Sequence, residues 1–236
     1  MDPVYLCSYA SGPFVSAVAR VRKEAQAMSV FTDIFLYGYN DLEETFRQQH
    51  GAWMSSQHKG HGYWIWKPQV ILQTLRRVPE NAVVLYMDIG CSLVASGRTR
   101  FNEYVDMVKA HPSNVLVFSL EPIHPEARWN KADVLHLFDV DINSPQVQAG
   151  IDFLVNTPAV RRMIEQWLAY ASNYHLIDDS PSALLNDPRF IEHRHDQSVW
   201  SLIVKTNKCL TIPNETEWAP MWDAPDYPIH AKRQRC

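Results

Sequence analysis

The chain has no CxxC pair. Its four cysteines, Cys7, Cys91, Cys209 and Cys236, are scattered along 236 residues, which argues against a structural zinc site. The first three lie in apolar, strand-like runs and read as buried thiols, a pattern suited to a reducing compartment. The start, Met1-Asp2-Pro3, carries neither a basic region nor an apolar run, so no signal peptide is expected. No stretch reaches the ~20 apolar residues that span a bilayer. A soluble, cytoplasmic protein is the expectation. Positive charge is also scarce. A formal net charge of −4 speaks against broad nucleic-acid binding. The one dense basic run, Lys232-Arg233-Gln234-Arg235, is either simply solvated or a peripheral contact to phosphate or an anionic membrane surface. There is no GxSxG, HExxH or phosphate-loop signature. The glycine fingerprint of dinucleotide binding is missing too, since Ala10-Ser11-Gly12-Pro13 follows the first apolar run. That excludes an ordinary nicotinamide dehydrogenase. No repeat, low-complexity tract or linker interrupts the chain.

What is present is the material of a globular core. Hydrophobic residues make up 46% and charged residues 20%, proportions that exclude a disordered chain. Strand and helix signals alternate. Val4 to Tyr9, Asp33 to Tyr37, Val83 to Met87, Val115 to Leu120, Ile151 to Val155 and Leu210 to Ile212 read as strands. Apolar residues at helical spacing mark Phe14 to Met28, the segment after Pro68, Phe101 to Ala110, the segment after Asn130, and the segment after Thr157-Pro158. A last helix, carrying Val199, Leu202 and Ile203, follows Asp196. This alternation predicts an α/β fold with helices on both faces of the sheet. Ligands of such sheets gather beyond the carboxyl ends of strands, so residues just after strands are the first candidates for chemistry.

Asp88 ends the run Val83-Val84-Leu85-Tyr86-Met87 and precedes Ile89-Gly90-Cys91. A carboxylate there needs a cation, donors or water. It is either a loop cap or a ligand for a divalent metal on a diphosphate, since such metals are often held by one or two carboxylates plus phosphate oxygens. In Gly60-His61-Gly62-Tyr63-Trp64-Ile65-Trp66-Lys67-Pro68, Lys67 falls near a helix N-terminus, where anions are favoured. It either contacts phosphate or is solvated beside packed tryptophans. In Glu192-His193-Arg194-His195-Asp196-Gln197-Ser198, Asp196 is either a helix cap or a general base. His193 and His195 have no second matching cluster to complete a metal-hydrolase centre. His230, beside Lys232 and Arg233, is either a lone terminal histidine or an imidazole closing over a metal-diphosphate, with Lys232 on phosphate.

Taken together, five stretches resemble a family of small GT-A-like glycosyltransferases found in bacterial polysaccharide gene clusters and large DNA viruses. They are Gly62-Tyr63-Trp64-Ile65-Trp66-Lys67-Pro68, Val84-Leu85-Tyr86-Met87-Asp88-Ile89-Gly90-Cys91, Trp129-Asn130-Lys131-Ala132-Asp133, Gln146-Val147-Gln148-Ala149-Gly150, and Glu192 to Ser198. Their order and spacing carry the likeness from Val4 to about Arg235. The resemblance implies a GT-A-like, Rossmann-type mixed sheet in a single catalytic domain over residues 1–236. Residues from 1 to about 120 would bind the nucleotide sugar, and those from about 121 to 236 the acceptor. It implies transfer of a sugar, hexosyl or deoxyhexosyl, from a nucleotide-diphosphate donor, UDP above all, to a glycan, glycolipid or glycoprotein. A divalent metal, Mn²⁺ or Mg²⁺, would clamp the diphosphate. Asp88 matches the first acid of the family's Asp-x-Asp motif, while Gly90 stands where the second acid belongs, and His230 is the candidate replacement ligand. Ser8 and Tyr9 would touch base or ribose. Trp64, Lys67, Gly90 and Lys232 would complete the donor site. Gln148, Ala149 and Gly150 would approach the transferring sugar, with Gln148 and Asp196 catalytic. Trp64, Trp129 and Trp222 are candidates for stacking on a sugar. A sugar-phosphate nucleotidyltransferase and a non-catalytic nucleotide- or glycan-binding module are the alternative readings.

Overall fold

The computed structural model describes residues 3–55, 58–216 and 226–235. Trp222 lies outside them. In chain order the elements are β1 (Val4–Tyr9), α1 (Ala17–Met28), β2 (Asp33–Tyr37), α2 (Glu44–Ser55), α3 (Gly60–Tyr63), α4 (Trp66–Leu75), β3 (Val83–Met87) and β4 (Ser92–Leu93). They continue with α5 (Arg98–Ala110), β5 (Val115–Ser119), α6 (Glu126–Trp129), α7 (Ala132–Leu135), β6 (Val147–Val155), α8 (Pro158–Ser172), α9 (His195–Thr206), β7 (Leu210–Pro213) and β8 (Ile229–His230).

Six strands form one mixed sheet in the order β2-β1-β3-β6-β5-β7. β6 is antiparallel to both of its neighbours, and the remaining pairs are parallel. The carboxyl end of β3 therefore lies beside the amino end of β6. Alternation along each strand divides the core in two. Tyr5, Cys7 and Tyr9 of β1 and Val84 and Tyr86 of β3 face one side, where α4, α8 and α9 supply Ile71, Trp167 and Trp200. Leu6, Leu85 and Met87 face the other, against Val21 of α1 and Phe101 of α5. Asp88 has the parity of Val84 and Tyr86, which directs it to the α4 and α9 side.

Local sequence explains several boundaries. Thr157 caps α8 as expected, its hydroxyl accepting from the Val160 amide at 3.2 Å, with Pro158 in the first turn. Asn130 does not cap a helix; its amide donates to Glu126, and Lys131 precedes α7. The helix expected from Phe14 starts properly at Ala17, because Gly12–Phe14 forms a separate 3-10 turn. The strand expected from Ile151 begins at Val147. Val117 lies opposite Asp152, yet Ser119 lies opposite Val147. The residues between them break the register as a bulge, a feature common beside functional sites.

The carboxyl-terminal segment straps the edge of the molecule. β8 pairs with β4, the Gln234 amide donates to the Gly90 carbonyl at 2.8 Å, and Arg20 ties Ile89, Cys91 and Gln234 together through their carbonyls.

Candidate functional site

At the carboxyl end of β3 a buried lysine joins two aspartates that are distant in the sequence. Lys67 lies in the first turn of α4, and Asp196 in the first turn of α9. Lys67 Nζ sits 2.7 Å from Asp196 Oδ2 and 3.5 Å from Asp88 Oδ1. The side chains of Lys67 and Asp196 are only 4% and 5% exposed, whereas Asp88 is 39% exposed. Asp88 is thus the face this cluster shows to solvent. The Tyr86 hydroxyl donates to Asp88 Oδ1 at 2.5 Å. Asp88 Oδ2 makes no hydrogen bond among the described residues, and it lies so close to Gly150 that a Cβ there would stand 3.0 Å away. The Asp88 amide in turn donates to the Gly150 carbonyl at 2.8 Å. The bulge in β6 therefore brings bare backbone against the carboxylate.

A third acid backs the cluster. Asp152 pairs across the sheet with Tyr86 and receives the Trp200 indole N–H at 2.8 Å. Trp200 stacks on Trp167, whose own N–H donates to the Asp196 carbonyl. Burial pushes the Asp152 carboxyl up to about 7, despite the opposing hydrogen bond from Trp200 and the charge of Lys67. Burial also raises Asp196 against the pull of Lys67. For Lys67, burial favours the neutral amine, but Asp196 and Asp88 outweigh it and hold the ammonium charge. Removing one partner of such a buried ion pair costs about 3–5 kcal/mol, so the cluster fixes its own geometry.

The remaining sequence candidates are placed as follows. Ser8 is fully buried and donates to the Met87 carbonyl at 2.5 Å, which leaves its side chain no surface for a ligand. Tyr9 is buried, stacks on Trp66 at 4.2 Å and bonds His61 Nδ1 at 2.9 Å. Gly90 packs against Arg233, whose Cα would lie 3.1 Å from an added Cβ. Any side chain there would push the strap away. Gln148 is buried and donates to Thr216 at 3.0 Å, and Ala149 is buried with it. His230 is buried within β8, and Lys232 is exposed beyond it. Trp129 is covered by the Arg194 guanidinium, 3.7 Å from its ring centre, so it presents no free face. Trp64 is half-buried beside His195. Asp196 does not cap α9; its side chain turns to Lys67 instead.

His193 and His195 diverge. His193 is buried between the Lys131 amide and the Leu176 carbonyl, and burial lowers its pKa to about 3. His195 points outward and bonds Asp179 Oδ1 through Nε2 at 2.9 Å. Sequence reasoning missed Tyr86, Asp152 and Asp179. Tyr86 and Asp152 have the alternation of core positions. Asp179 lies in a polar loop with no local signature.

No group of three or more His, Cys, Asp or Glu residues able to hold a metal occurs among the described residues. Asp88 Oδ2 is a single carboxylate oxygen left open to one side. That fits a cation completed by phosphate and water oxygens rather than a protein cage. Two concavities among the described residues lie elsewhere. One runs along β2 between Arg22 and Arg77, and the other lies by α7 between Leu137 and Leu185. Neither includes Asp88. No helix among the described residues is long and apolar enough to cross a membrane.

No protein-family model matches the chain, and no curated protein matches it in sequence. Solved structures do match its backbone. A glycosyltransferase involved in the glycosylation of the major capsid of PBCV-1 aligns over 97% of this chain and 92% of that one, at 12% identity and a TM-score of 0.55. The galactosyltransferase LgtC, solved with donor and acceptor sugar analogues, aligns over 98% and 86%, at 11% identity and a TM-score of 0.46. A 4-diphosphocytidyl-2C-methyl-D-erythritol synthase from Anaerococcus prevotii aligns over 88% and 97%, at 9% identity and 0.42. The first likeness shows a GT-A-like fold; the other two add no weight to it.

Proposed function

We propose that this chain is a glycosyltransferase, moving a sugar from a nucleotide-diphosphate donor, UDP-linked, to a glycan, glycolipid or glycoprotein acceptor. The observation that carries this reading is the Lys67 ammonium held between Asp88 and Asp196 at the carboxyl end of β3, in a GT-A-like sheet. Glycosyl transfer builds positive charge at the anomeric carbon and negative charge on the departing diphosphate. A half-exposed carboxylate backed by a buried cation offers groups of both signs at one point.

In this reading Asp88 anchors the donor. Asp88, with His230 as second ligand, would hold a divalent cation, Mn²⁺ or Mg²⁺, which supplies Lewis-acid stabilisation to the leaving diphosphate. Tyr86 fixes the Asp88 rotamer through its hydroxyl. Gly150 lets substrate approach Asp88 without a side chain in the way. Asp196 holds Lys67 in place, so the ammonium is oriented before charge develops and needs no reorganisation in the transition state. Lys232, exposed on the strap, would contact phosphate. Residues 1 to about 120 then supply the donor half and the rest the acceptor half.

The test is a panel of UDP-, GDP- and dTDP-hexoses with Mn²⁺, read by thermal shift and by release of nucleoside diphosphate. Binding of one nucleotide class with turnover is the expected outcome. Binding without turnover would favour a non-catalytic module, a reading for which Gly90, pressed against the strap where a second acid is expected, is the motivating feature. No shift with any of them would remove the transferase reading.

A further inference from the structure

Left-handed backbone is concentrated in the residues just before α4, which carries Lys67. Gly60, His61, Gly62, Tyr63 and Trp64 have φ values of 58°, 57°, 90°, 55° and 61°, which makes α3 a left-handed turn. Only glycine enters this region freely; each other residue costs about 1–2 kcal/mol there. Neighbours hold the turn. The Trp66 and Trp53 indoles donate to the carbonyls of Gly60 and Gly62, and the Tyr63 amide donates to the Lys59 carbonyl. One more left-handed residue faces them: His195, with φ 54°. Strain of this kind persists only where surrounding structure enforces it, and it gathers at functional sites.

The strained turn gives His195 a defined setting. The Tyr63 ring stacks on the imidazole with centroids 5.0 Å apart, and Trp64 lies at 5.3 Å. Asp179 Oδ1 takes the Nε2 bond at 2.9 Å. Asp179 Oδ2 is itself held by Lys59 at 2.9 Å and by the Tyr63 hydroxyl at 3.3 Å. A carboxylate accepting from Nε2 assigns the proton to that nitrogen and leaves the Nδ1 lone pair free in the neutral ring. Nδ1 makes no hydrogen bond among the described residues, and the side chain is 13% exposed. The next residue, Asp196, is buried and tied to Lys67. Of the two adjacent candidates for a base, Asp196 is held by Lys67 and almost wholly buried, whereas His195 keeps Nδ1 out of any hydrogen bond among the described residues and is the more exposed.

We propose that His195, oriented by Asp179, is the general base that takes the proton of the acceptor hydroxyl in a single direct displacement, which inverts anomeric configuration. This rests on the transferase reading above. The acceptor O–H gives its proton to Nδ1 as its oxygen bonds the anomeric carbon. The bond from that carbon to the phosphate oxygen breaks, and its electron pair leaves with the nucleoside diphosphate. Asp179 stabilises the imidazolium formed. The Trp64 ring, half-buried beside His195, is the aromatic surface beside which an acceptor sugar stacks. The charged and titratable groups around His195 are Asp179, Lys59, Tyr63, His193 and Asp196.

His195→Asn is the informative variant, because asparagine tolerates a left-handed backbone. Once the panel has identified the donor, its hydrolysis is followed with water as acceptor. The expected result is a 10²- to 10⁴-fold lower kcat, the scale of a lost general base. The Kd for UDP should stay within about threefold, a change of less than ~0.7 kcal/mol. Proton NMR of the nascent sugar should show inversion, and ¹⁵N-resolved imidazole signals of the wild type should show the Nε2–H form. Wild-type kcat in His195→Asn, retained configuration, or an Nδ1–H ring would each overturn the proposal while donor binding still upheld the transferase reading. Absence of any nucleotide-sugar binding would remove both.

Discussion

At the scale of single residues, the site is a problem of charge placement. Asp196 is buried, and only Lys67 makes its charge tolerable. Replacing Asp196 with asparagine keeps shape and hydrogen bonding but weakens the hold on the ammonium. Lys67 acts on charge that develops as the diphosphate departs, so turnover should suffer more than donor affinity. The expectation is a kcat about 10²-fold lower, on the scale of a lost electrostatic donor, with the donor Kd changed by less than about threefold, or ~0.7 kcal/mol. Equal loss in both, measured by steady-state kinetics and titration calorimetry, would assign Asp196 a purely structural part. Asp88 and Asp196 stood out in the sequence because each is an acid beside an apolar element. What joins them was hidden. Lys67 read as either a phosphate contact or a solvated helix-start residue, and nothing local reports that α4 and α9 bring it within 2.7 Å of a carboxylate more than a hundred positions away. Tyr86 and Asp152 followed core periodicity, so their polar ends carried no signal.

At the scale of elements, the strands were the most legible because continuous apolar runs bounded by polar residues have few alternatives. β1, β2 and β3 match their expected spans. α2 escaped notice, since Phe46 and Met54 are widely spaced among polar residues. The amino end of β6 was hidden by glutamines and Gly150, the same residues that form its bulge. The left-handed turn at residues 60–64 has glycine at only two of its five positions, so its glycine content understates it. A mutation tests what holds it. A Cβ at Gly60 would stand 2.3 Å from the Trp64 ring on a backbone with φ 58°. Gly60→Ala should therefore lower stability by about 1–3 kcal/mol, read as a reduced urea midpoint, and should shift the Trp64 environment in near-ultraviolet dichroism. An unchanged midpoint would mean that the turn relaxes easily and holds no strain.

At the scale of the whole molecule, the sheet connects everything described above. β3 and β6 pair across the proposed division into a donor half and an acceptor half, so under that proposal the cluster sits where the two meet. Two buried groups on that framework make opposite contributions to pH dependence. His193 has a folded pKa of about 3, below its ordinary value. Between about pH 3 and 6.5 the unfolded chain takes up the proton instead, so its contribution is full above 6.5 and is lost as pH falls. Asp152 has a folded pKa of about 7, above its ordinary value. Between about pH 3.8 and 7 the folded chain keeps the proton, so its contribution is full below 3.8 and is lost as pH rises. Relative to wild type, His193→Gln should gain stability as pH falls from 7 to 4, and Asp152→Asn should gain it as pH rises from 4 to 7. Each change should be on the order of several kcal/mol. Chemical denaturation at a series of pH values gives both differences. Parallel curves for wild type and either variant would remove that group from the balance.

The central claim, that Asp88 anchors a sugar nucleotide at the end of β3, has a direct measurement. Calorimetric titration of UDP with Mn²⁺ into wild type and Asp88→Ala should give saturable binding in the first. In the second it should give a Kd at least about tenfold weaker, or ~1.4 kcal/mol. Equal affinity in the two proteins would contradict the claim and place the donor, if one binds, elsewhere on the fold.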